Sequence, residues 1–157
     1  MTFIESIKTC FKKYFVFKGR AMRSEFWWFQ LFVIVTTIVA TMFDNLILGY
    51  DWMESDVTPM ALLVDTLTIV PIAAVTARRL HDIGRSGWWQ LPNFVFYLLY
   101  IDVFLDGFSS GGFMVVLMFA ATIYWFGLLL FLIKDSQPHT NAYGPNPKSP
   151  EMASVFG

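Results

Sequence analysis

The stretch FMVVLMFAATIYWFGLLLFLI, from Phe113 to Ile133, contains no charged residue and no proline. A helix that crosses the hydrocarbon core of a bilayer needs roughly 20 mainly apolar residues. Because lipid offers no hydrogen-bonding partner, the backbone N–H and C=O groups of such a segment must bond to each other in a helix. This stretch therefore predicts a transmembrane helix.

Three earlier segments are also long and apolar enough to span a membrane. They lie at about residues 26–46, 59–77 and 88–105. Thr58 followed by Pro59 is typical of an N-cap and a first helical residue, and it predicts where the second span begins. The second and third segments could instead be buried helices of a soluble core, but their length and composition favour membrane spans.

The composition of the whole chain supports this interpretation. Hydrophobic residues make up 56% and charged residues only 15% of the 157 residues. A soluble domain of this size leaves a large share of its surface exposed and could not cover so much apolar surface. We therefore predict an all-α membrane protein, with a single domain of four transmembrane helices in residues 1–150. Residues 134–157 form a tail that contains proline and glycine.

The lysine and arginine residues are segregated along the chain. All eleven lie before the first predicted span, between the second and third, or after the fourth. The two remaining connections contain acidic residues and no basic ones. The positive-inside rule then predicts that the N-terminus, the middle connection and the C-terminal tail are cytoplasmic. This alternation requires an even number of spans, which agrees with four.

Residues 3–16 show a helical pattern of a different kind. Polar side chains, three of them lysines, occupy one face, and apolar side chains recur on the other. The apolar face consists of Phe3, Ile4, Ile7, Cys10, Phe11, Tyr14 and Phe15. This pattern predicts an amphipathic helix that lies in the cytoplasmic membrane surface. Cys10 is the only cysteine, so the chain cannot form an intrachain disulfide.

Three short segments have unusual sequences. They are FKGRAMRSEFWWF at Phe17–Phe29, RRLHDIGRSGWW at Arg78–Trp89, and NAYGPNP at Asn141–Pro147. Together they resemble a bacterial inner-membrane family known as domain of unknown function 805, the YhaH-like proteins. The resemblance covers about residues 10–148 and is most specific in the second segment. It implies a bacterial cytoplasmic membrane and four helices, and it brings no established activity.

The basic residues at the predicted cytoplasmic edge lie close in sequence to tryptophans. The candidate site contains Arg20, Arg23, Arg78, Arg79, His81, Asp82, Arg85, Trp88 and Trp89. Indole rings prefer the headgroup region, and guanidinium groups bind phosphate through two parallel hydrogen bonds. These residues could simply anchor and orient the protein, or they could bind an anionic lipid headgroup or a partner membrane protein.

The pair His81 and Asp82 does not predict an enzyme. Neighbouring residues on a helix do not face each other, and no nucleophile accompanies this pair. With one cysteine and His139 as the only other histidine, the sequence predicts no metal site. We expect no cofactor and no nucleic-acid partner. The favoured function is a non-enzymatic membrane module that binds lipid or a partner protein.

Two acidic residues lie inside predicted spans. Asp65 and Asp102 are at similar depth in the outer half, where the sequence places no lysine or arginine. An ionisable residue within a membrane span is by default a candidate for function. The alternative function is therefore an oligomeric transporter or channel that carries protons or small cations past these two acids.

Overall fold

The computed structural model describes residues 1–50, 58–96 and 111–149. Within those ranges the chain is helical and contains no β-strand. Its α-helices are α1 (Phe3–Lys12), α2 (Arg23–Leu48), α3 (Pro59–Asp82) and α4 (Gly111–Ile133). A short 3-10 helix at Gly87–Gln90 leads into a helical stretch at residues 91–96.

Three of these helices are long and apolar enough to cross a membrane. They are α2, α3 and the part of α4 from Val116 to Ile133. These helices coincide with the predicted first, second and fourth spans, and α3 continues beyond the predicted limit of 77 to Asp82. The predicted third span, 88–105, begins with the 3-10 helix, whereas its residues 97–105, which include Asp102, lie outside the described residues.

The N-terminal helix α1 begins with a capping box. The Thr2 hydroxyl accepts a hydrogen bond from the Glu5 backbone N–H, and the Glu5 carboxylate accepts one from the Thr2 N–H at 2.7 Å. The hydrogen bond from the Thr2 N–H lowers the pKa of the Glu5 carboxylate. The helix ends at Lys12, short of the predicted residue 16, and the Val16 carbonyl instead accepts a hydrogen bond from Arg78 at 2.6 Å. The chain therefore turns towards α3.

One face of α1 packs against the beginning of α2. Ser6 and Cys10 are buried in this contact. The Phe11 ring meets Phe29 edge to face, with ring centroids 5.6 Å apart. Burial raises the pKa of the Cys10 thiol to about 12, so the thiol stays protonated and unreactive at neutral pH.

A proline within α3 leaves one backbone carbonyl without its helical donor, and a side chain that follows α1 supplies the missing hydrogen bond. Pro71 has no N–H group, so the carbonyl of Leu67 lacks its normal helical donor. The Tyr14 hydroxyl donates a hydrogen bond to this Leu67 carbonyl at 2.9 Å. The segment after α1 thus replaces the hydrogen bond that the proline removes.

The other end of α3 is capped by α2. Thr58 is at the N-cap position and Pro59 at the first helical residue, as predicted, but the Thr58 side chain makes no capping hydrogen bond. The carboxylate of Asp44, which is fully buried, instead accepts hydrogen bonds from the backbone N–H groups of Met60 at 2.9 Å and Ala61 at 3.2 Å. A carboxylate at a helix N-terminus also interacts favourably with the helix dipole.

The hydrophobic core lies near the end of the bundle where α2 begins and where α3 and α4 end. We call this the basic end, and the opposite end, which contains Asp44, the acidic end. The core is formed by Cys10, Ala21, Phe26, Phe29, Val33, Val75, Leu80, Leu128 and Leu132. Most other large apolar side chains of the three candidate spans are exposed, as expected for helices that contact lipid.

Candidate functional site

The three segments with unusual sequences converge at the basic end. Arg20, which precedes α2, is buried, and its Nε donates to Asp82 Oδ1 at 2.9 Å. Its Nη atoms donate to the carbonyls of Gln137 at 2.6 Å and His139 at 2.8 Å. A further bond of 3.2 Å reaches the carbonyl of Gly144. One guanidinium therefore joins the start of α2, the end of α3 and the C-terminal tail.

Arg79 occupies the other side of the same carboxylate. It pairs with Asp82 Oδ2 and donates from Nε to the carbonyl of Leu132 at 3.1 Å. It also bonds to the carbonyls of Ala21, at 3.4 Å, and of Lys134. Asp82 and Arg79 are both fully buried. Because each buried charge has several hydrogen-bonding partners, this network avoids leaving an isolated charge in the interior.

Arg78 forms a second buried ion pair, with Glu25 in the first turn of α2. Its Nη2 lies 2.8 Å from Glu25 Oε1, and both side chains are nearly inaccessible to solvent. Its Nη1 donates to the carbonyl of Val16. Cys10 lies close enough to Glu25 and Arg78 for both charges to influence its pKa. This pair therefore holds α1 and the segment after it against α2 and α3.

The imidazole of His81 forms contacts that are separate from those of its neighbour Asp82. Its ring is stacked on Tyr143 with centroids 3.9 Å apart and an angle of 4° between the planes. His81 Nδ1 lies 3.1 Å from the Gly19 carbonyl, and the Asn141 amide donates to the His81 carbonyl at 2.9 Å. These contacts dock the C-terminal tail on α3.

The remaining cations at the basic end are exposed and lie beside aromatic rings. The Arg85 guanidinium lies 5.0 Å from the centroid of Trp89 and 5.6 Å from that of Phe131. The Lys134 ammonium lies 4.5 Å from the same Phe131 ring. Trp88 is 76% exposed. We call Arg85, Trp88, Trp89, Phe131 and Lys134 the aromatic rim.

Arg23 borders a groove on the outside of α2. The groove has a volume of about 480 Å³ and is lined by Arg23, Ser24, Trp27, Trp28, Leu31 and Ile133. The guanidinium of Arg23 lies 3.5 Å from the exposed carboxylate of Asp135. A hydrogen bond from Lys148 lowers the pKa of Asp135. An exposed cation above an apolar groove is suited to an amphipathic ligand with an anionic head.

The structure brings the predicted rim residues together and divides them into two groups. Arg20, Arg78, Arg79 and Asp82 are buried, and their charged groups pair within the protein. The exposed members are Arg23, Arg85, Trp88 and Trp89, whereas His81 is half-buried under Tyr143 and belongs to neither group. Headgroup or partner binding therefore stays a prediction that concerns the exposed group.

Sequence analysis did not assign roles to several residues of this end. Glu25, Asn141 and Tyr143 all make contacts that hold it together. A signal was available, because Glu25 lies in the first unusual segment and the other two lie in the third. The tertiary structure, however, was needed to show which partner each of these residues contacts.

Asp65 lies away from the basic end, on the half of α3 nearer the acidic end. Its Oδ1 accepts a hydrogen bond from Thr37 of α2 at 3.2 Å. Its proposed companion Asp102 is outside the described residues, so transport past the two acids stays a prediction. Among the described residues, no three His, Cys, Asp or Glu side chains are grouped so that they could hold a metal ion.

These features define a class: a helical membrane protein whose basic end combines a buried ionic network with exposed cations and aromatic rings. The chain belongs to the family of proteins of unknown function DUF805, whose family model matches residues 14–145. The resemblance drawn from the three segments is thereby confirmed.

Curated relatives agree with this class. The chain is 31% identical over 137 residues to the inner membrane protein YhaH of Escherichia coli (strain K12), covering 87% of this chain and 91% of the relative. It is 30% identical over 139 residues to the inner membrane protein YhaI of the same strain, covering 87% and 90%. The uncharacterized protein YiiR of that strain is 35% identical over 90 residues, covering 54% and 53%. No solved structure matches.

Proposed function

We propose that this protein is a non-enzymatic inner-membrane module that binds anionic lipid headgroups at its basic end. The observation that carries the proposal is that the cations at the basic end fall into a buried, paired group and an exposed group. Three arginines are buried and paired within the protein, whereas Arg23, Arg85 and Lys134 are exposed beside aromatic and apolar surface. The buried network fixes the helix ends and so holds the exposed cations at constant spacing.

The aromatic rim and the Arg23 groove have the chemistry of a lipid headgroup site. Indole rings partition to the headgroup level, which places Trp88 and Trp89 there together with Arg85. Each basic residue near an anionic membrane surface contributes about 1 kcal/mol to binding. In the groove, the guanidinium would bind a lipid phosphate while Trp27, Trp28 and Leu31 contact the acyl chains.

The topology that we propose has four spans, with both termini cytoplasmic. Arg79 bonds to carbonyls at the end of α4, so α3 and α4 both end at the basic end. Because α4 begins one helix length away, the chain between them must cross from the basic to the acidic end, which supports a third span. The positive-inside rule then assigns the basic end to the cytoplasm.

The N-terminal helix α1 would lie at the cytoplasmic membrane surface. It packs on α2 through one face, and Ile4 in this helix is 56% exposed. Phe15, which follows the helix, is 74% exposed. Exposed apolar side chains at the level of Lys8 and Lys12 suit the boundary between headgroups and acyl chains. On that side, α1 would thereby cover the boundary between the protein and the lipid.

Lipid binding can be tested by native mass spectrometry of protein released from a mild detergent. We expect wild-type protein to retain anionic lipid and the triple substitution Arg23→Gln, Arg85→Gln, Lys134→Gln to lose most of it. A matched triple substitution on α1 and the segment after it, Lys8→Gln, Lys12→Gln, Lys18→Gln, removes the same charge from residues that belong to neither the rim nor the groove. Equal loss in both variants would show general charge attraction, and retention in the first would refute the proposal.

The topology can be tested by labelling introduced cysteines with an impermeant thiol reagent. Cysteine at Ser55 or Ser109 should react from outside the cell, and cysteine at Ser149 should not. The native Cys10 gives no background because its thiol is buried and protonated. The opposite labelling pattern would invert the proposed orientation and place the lipid site on the wrong leaflet.

A further inference from the structure

A second cavity lies between α2, α3, α4 and the stretch at residues 90–94, and it shares no lining residue with the aromatic rim or the Arg23 groove. Its volume is about 480 Å³, which is within the usual range of roughly 300–1,000 Å³ for small-molecule sites. Its walls are mainly aliphatic and aromatic, with rings from Phe26, Phe94 and Trp125. An apolar ligand body would therefore fit its walls.

One side of the cavity contains the carboxylate of Asp65. The Thr37 hydroxyl donates to this carboxylate from α2. Thr66 and Thr68, which also line the cavity, donate their hydroxyl protons to the carbonyls of Leu62 at 2.7 Å and Val64 at 2.8 Å. Their oxygens can therefore only accept hydrogen bonds from an occupant of the cavity.

A second acceptor, on α2, has no hydrogen-bonding partner among the described residues. Gln30 Oε1 is buried, lines the same cavity, and makes no hydrogen bond within the described part of the protein. An unsatisfied buried acceptor is unfavourable, so an occupant that donates a hydrogen bond here would be stabilised. Gln30 precedes Thr37 by two helical turns, which separates the two acceptor groups by about 10 Å along the helix axis.

No basic side chain of the spans can neutralise Asp65. Residues 24–77 and 86–133 contain no lysine or arginine. A carboxylate within a membrane span is unfavourable unless it pairs with a positive charge or faces water. The cavity thus combines a negative charge, acceptor oxygens and aromatic rings, and aromatic faces attract cations as well.

We propose that this cavity binds an amphipathic organic cation. The cationic nitrogen lies at Asp65, the hydrocarbon or aromatic body lies against the ring-lined walls, and a hydrogen-bond donor reaches Gln30 Oε1. This site shares no residue with the aromatic rim or the Arg23 groove, so its occupancy does not depend on the headgroup proposal.

Ethidium is a suitable probe because it is a planar aromatic cation with two amino donors, and its fluorescence rises when it leaves water. Titration of ethidium into the full-length protein in a non-ionic detergent should give a saturable rise in fluorescence. Asp65→Asn should weaken binding by about tenfold or more, because it removes the negative charge that pairs with the bound cation. Gln30→Leu should weaken it less. Asp135→Asn, which makes the same change at an exposed site of the basic end, should have no effect.

Two further measurements separate this proposal from its alternatives. Thr66→Phe fills the cavity without changing its charge and should abolish binding even if Asp65→Asn lowers the yield of folded protein. The uncharged ring system phenanthridine should not displace ethidium. The proposal is overturned if wild-type protein does not bind ethidium, if Asp65→Asn or Thr66→Phe binds as well as wild type, or if phenanthridine competes equally.

Discussion

At the basic end α3 is joined to distant parts of the chain by buried ion pairs, whereas at the acidic end it meets α2 through the carboxylate of Asp44. Asp82 receives two arginines, one from before α2 and one from its own helix. Among the described residues, Asp44 receives hydrogen bonds from the backbone N–H groups in the first turn of α3. Both carboxylates are fully buried, yet one is neutralised by charge and the other by helix-end dipoles.

This difference indicates which part of the protein is held in one arrangement by directional bonds and which part leaves space between the helices. At the basic end many bonds of defined direction meet, so the exposed cations there are held in fixed positions. Most large apolar side chains outside the core are exposed, and a cavity extends from the core residues Phe26, Leu128 and Leu132 to Asp65. The headgroup site therefore has a frame of buried ion pairs, whereas the space for a ligand lies between the helices.

The largest expected effect is at Asp82. Asp82→Asn leaves Arg20 and Arg79 buried without a counter-charge, and loss of one partner of a buried pair destabilises by roughly 3–5 kcal/mol. We expect a lower melting temperature and poor recovery of folded protein, measured by tryptophan fluorescence in detergent. If the variant were as stable as wild type, the ionic network would not hold the basic end together.

At the acidic end, Asp44→Ala should have a smaller effect. It removes the acceptor for the first N–H groups of α3, and loss of a helix cap destabilises by about 1–2 kcal/mol. Thr58→Ala is the matched control, because Thr58 is at the N-cap position but makes no capping bond and should change little. An effect of Asp44→Ala as large as that of Asp82→Asn would remove the distinction between the two ends.

Between the two ends, the hydrogen bond from Tyr14 to the Leu67 carbonyl can be isolated by a double-mutant cycle. Tyr14→Phe should destabilise by about 1 kcal/mol, because it leaves the Leu67 carbonyl, which Pro71 cannot bond, without a donor. In a Pro71→Ala background the new backbone N–H supplies that donor, so Tyr14→Phe should then have almost no effect. Equal effects in both backgrounds would mean that the hydroxyl does not replace the bond removed by proline.

The smallest effect is expected at the exposed carboxylate of Asp135. Its pKa is lowered by the hydrogen bond from Lys148, so its contribution to stability is present at neutral pH and disappears as the pH falls through the lowered value. Because the group is exposed, Asp135→Asn should hardly change the melting temperature at any pH. A shift comparable to that of Asp82→Asn would show that exposed pairs also hold the basic end.

The spans in the described region were predictable because hydrophobic length is a property of consecutive residues. The apolar run before Ile133 and the proline at residue 59 each indicate a helix without knowledge of any partner. The candidate site was predictable only as a set of residues. Its division into buried and exposed cations was not predictable, because a sequence does not show whether an arginine is paired within the protein or exposed.

The sequence by itself determined that this is a membrane protein of the DUF805 family and where its basic residues are concentrated. Only the tertiary structure decided that Arg20 pairs with Asp82, 62 positions away, and bonds to the carbonyl of Gln137, 117 positions away. It likewise decided that Asp44, rather than Thr58, caps α3. The physical reason is that burial and pairing depend on distance in space, which the packing of helices sets and which local sequence patterns do not contain.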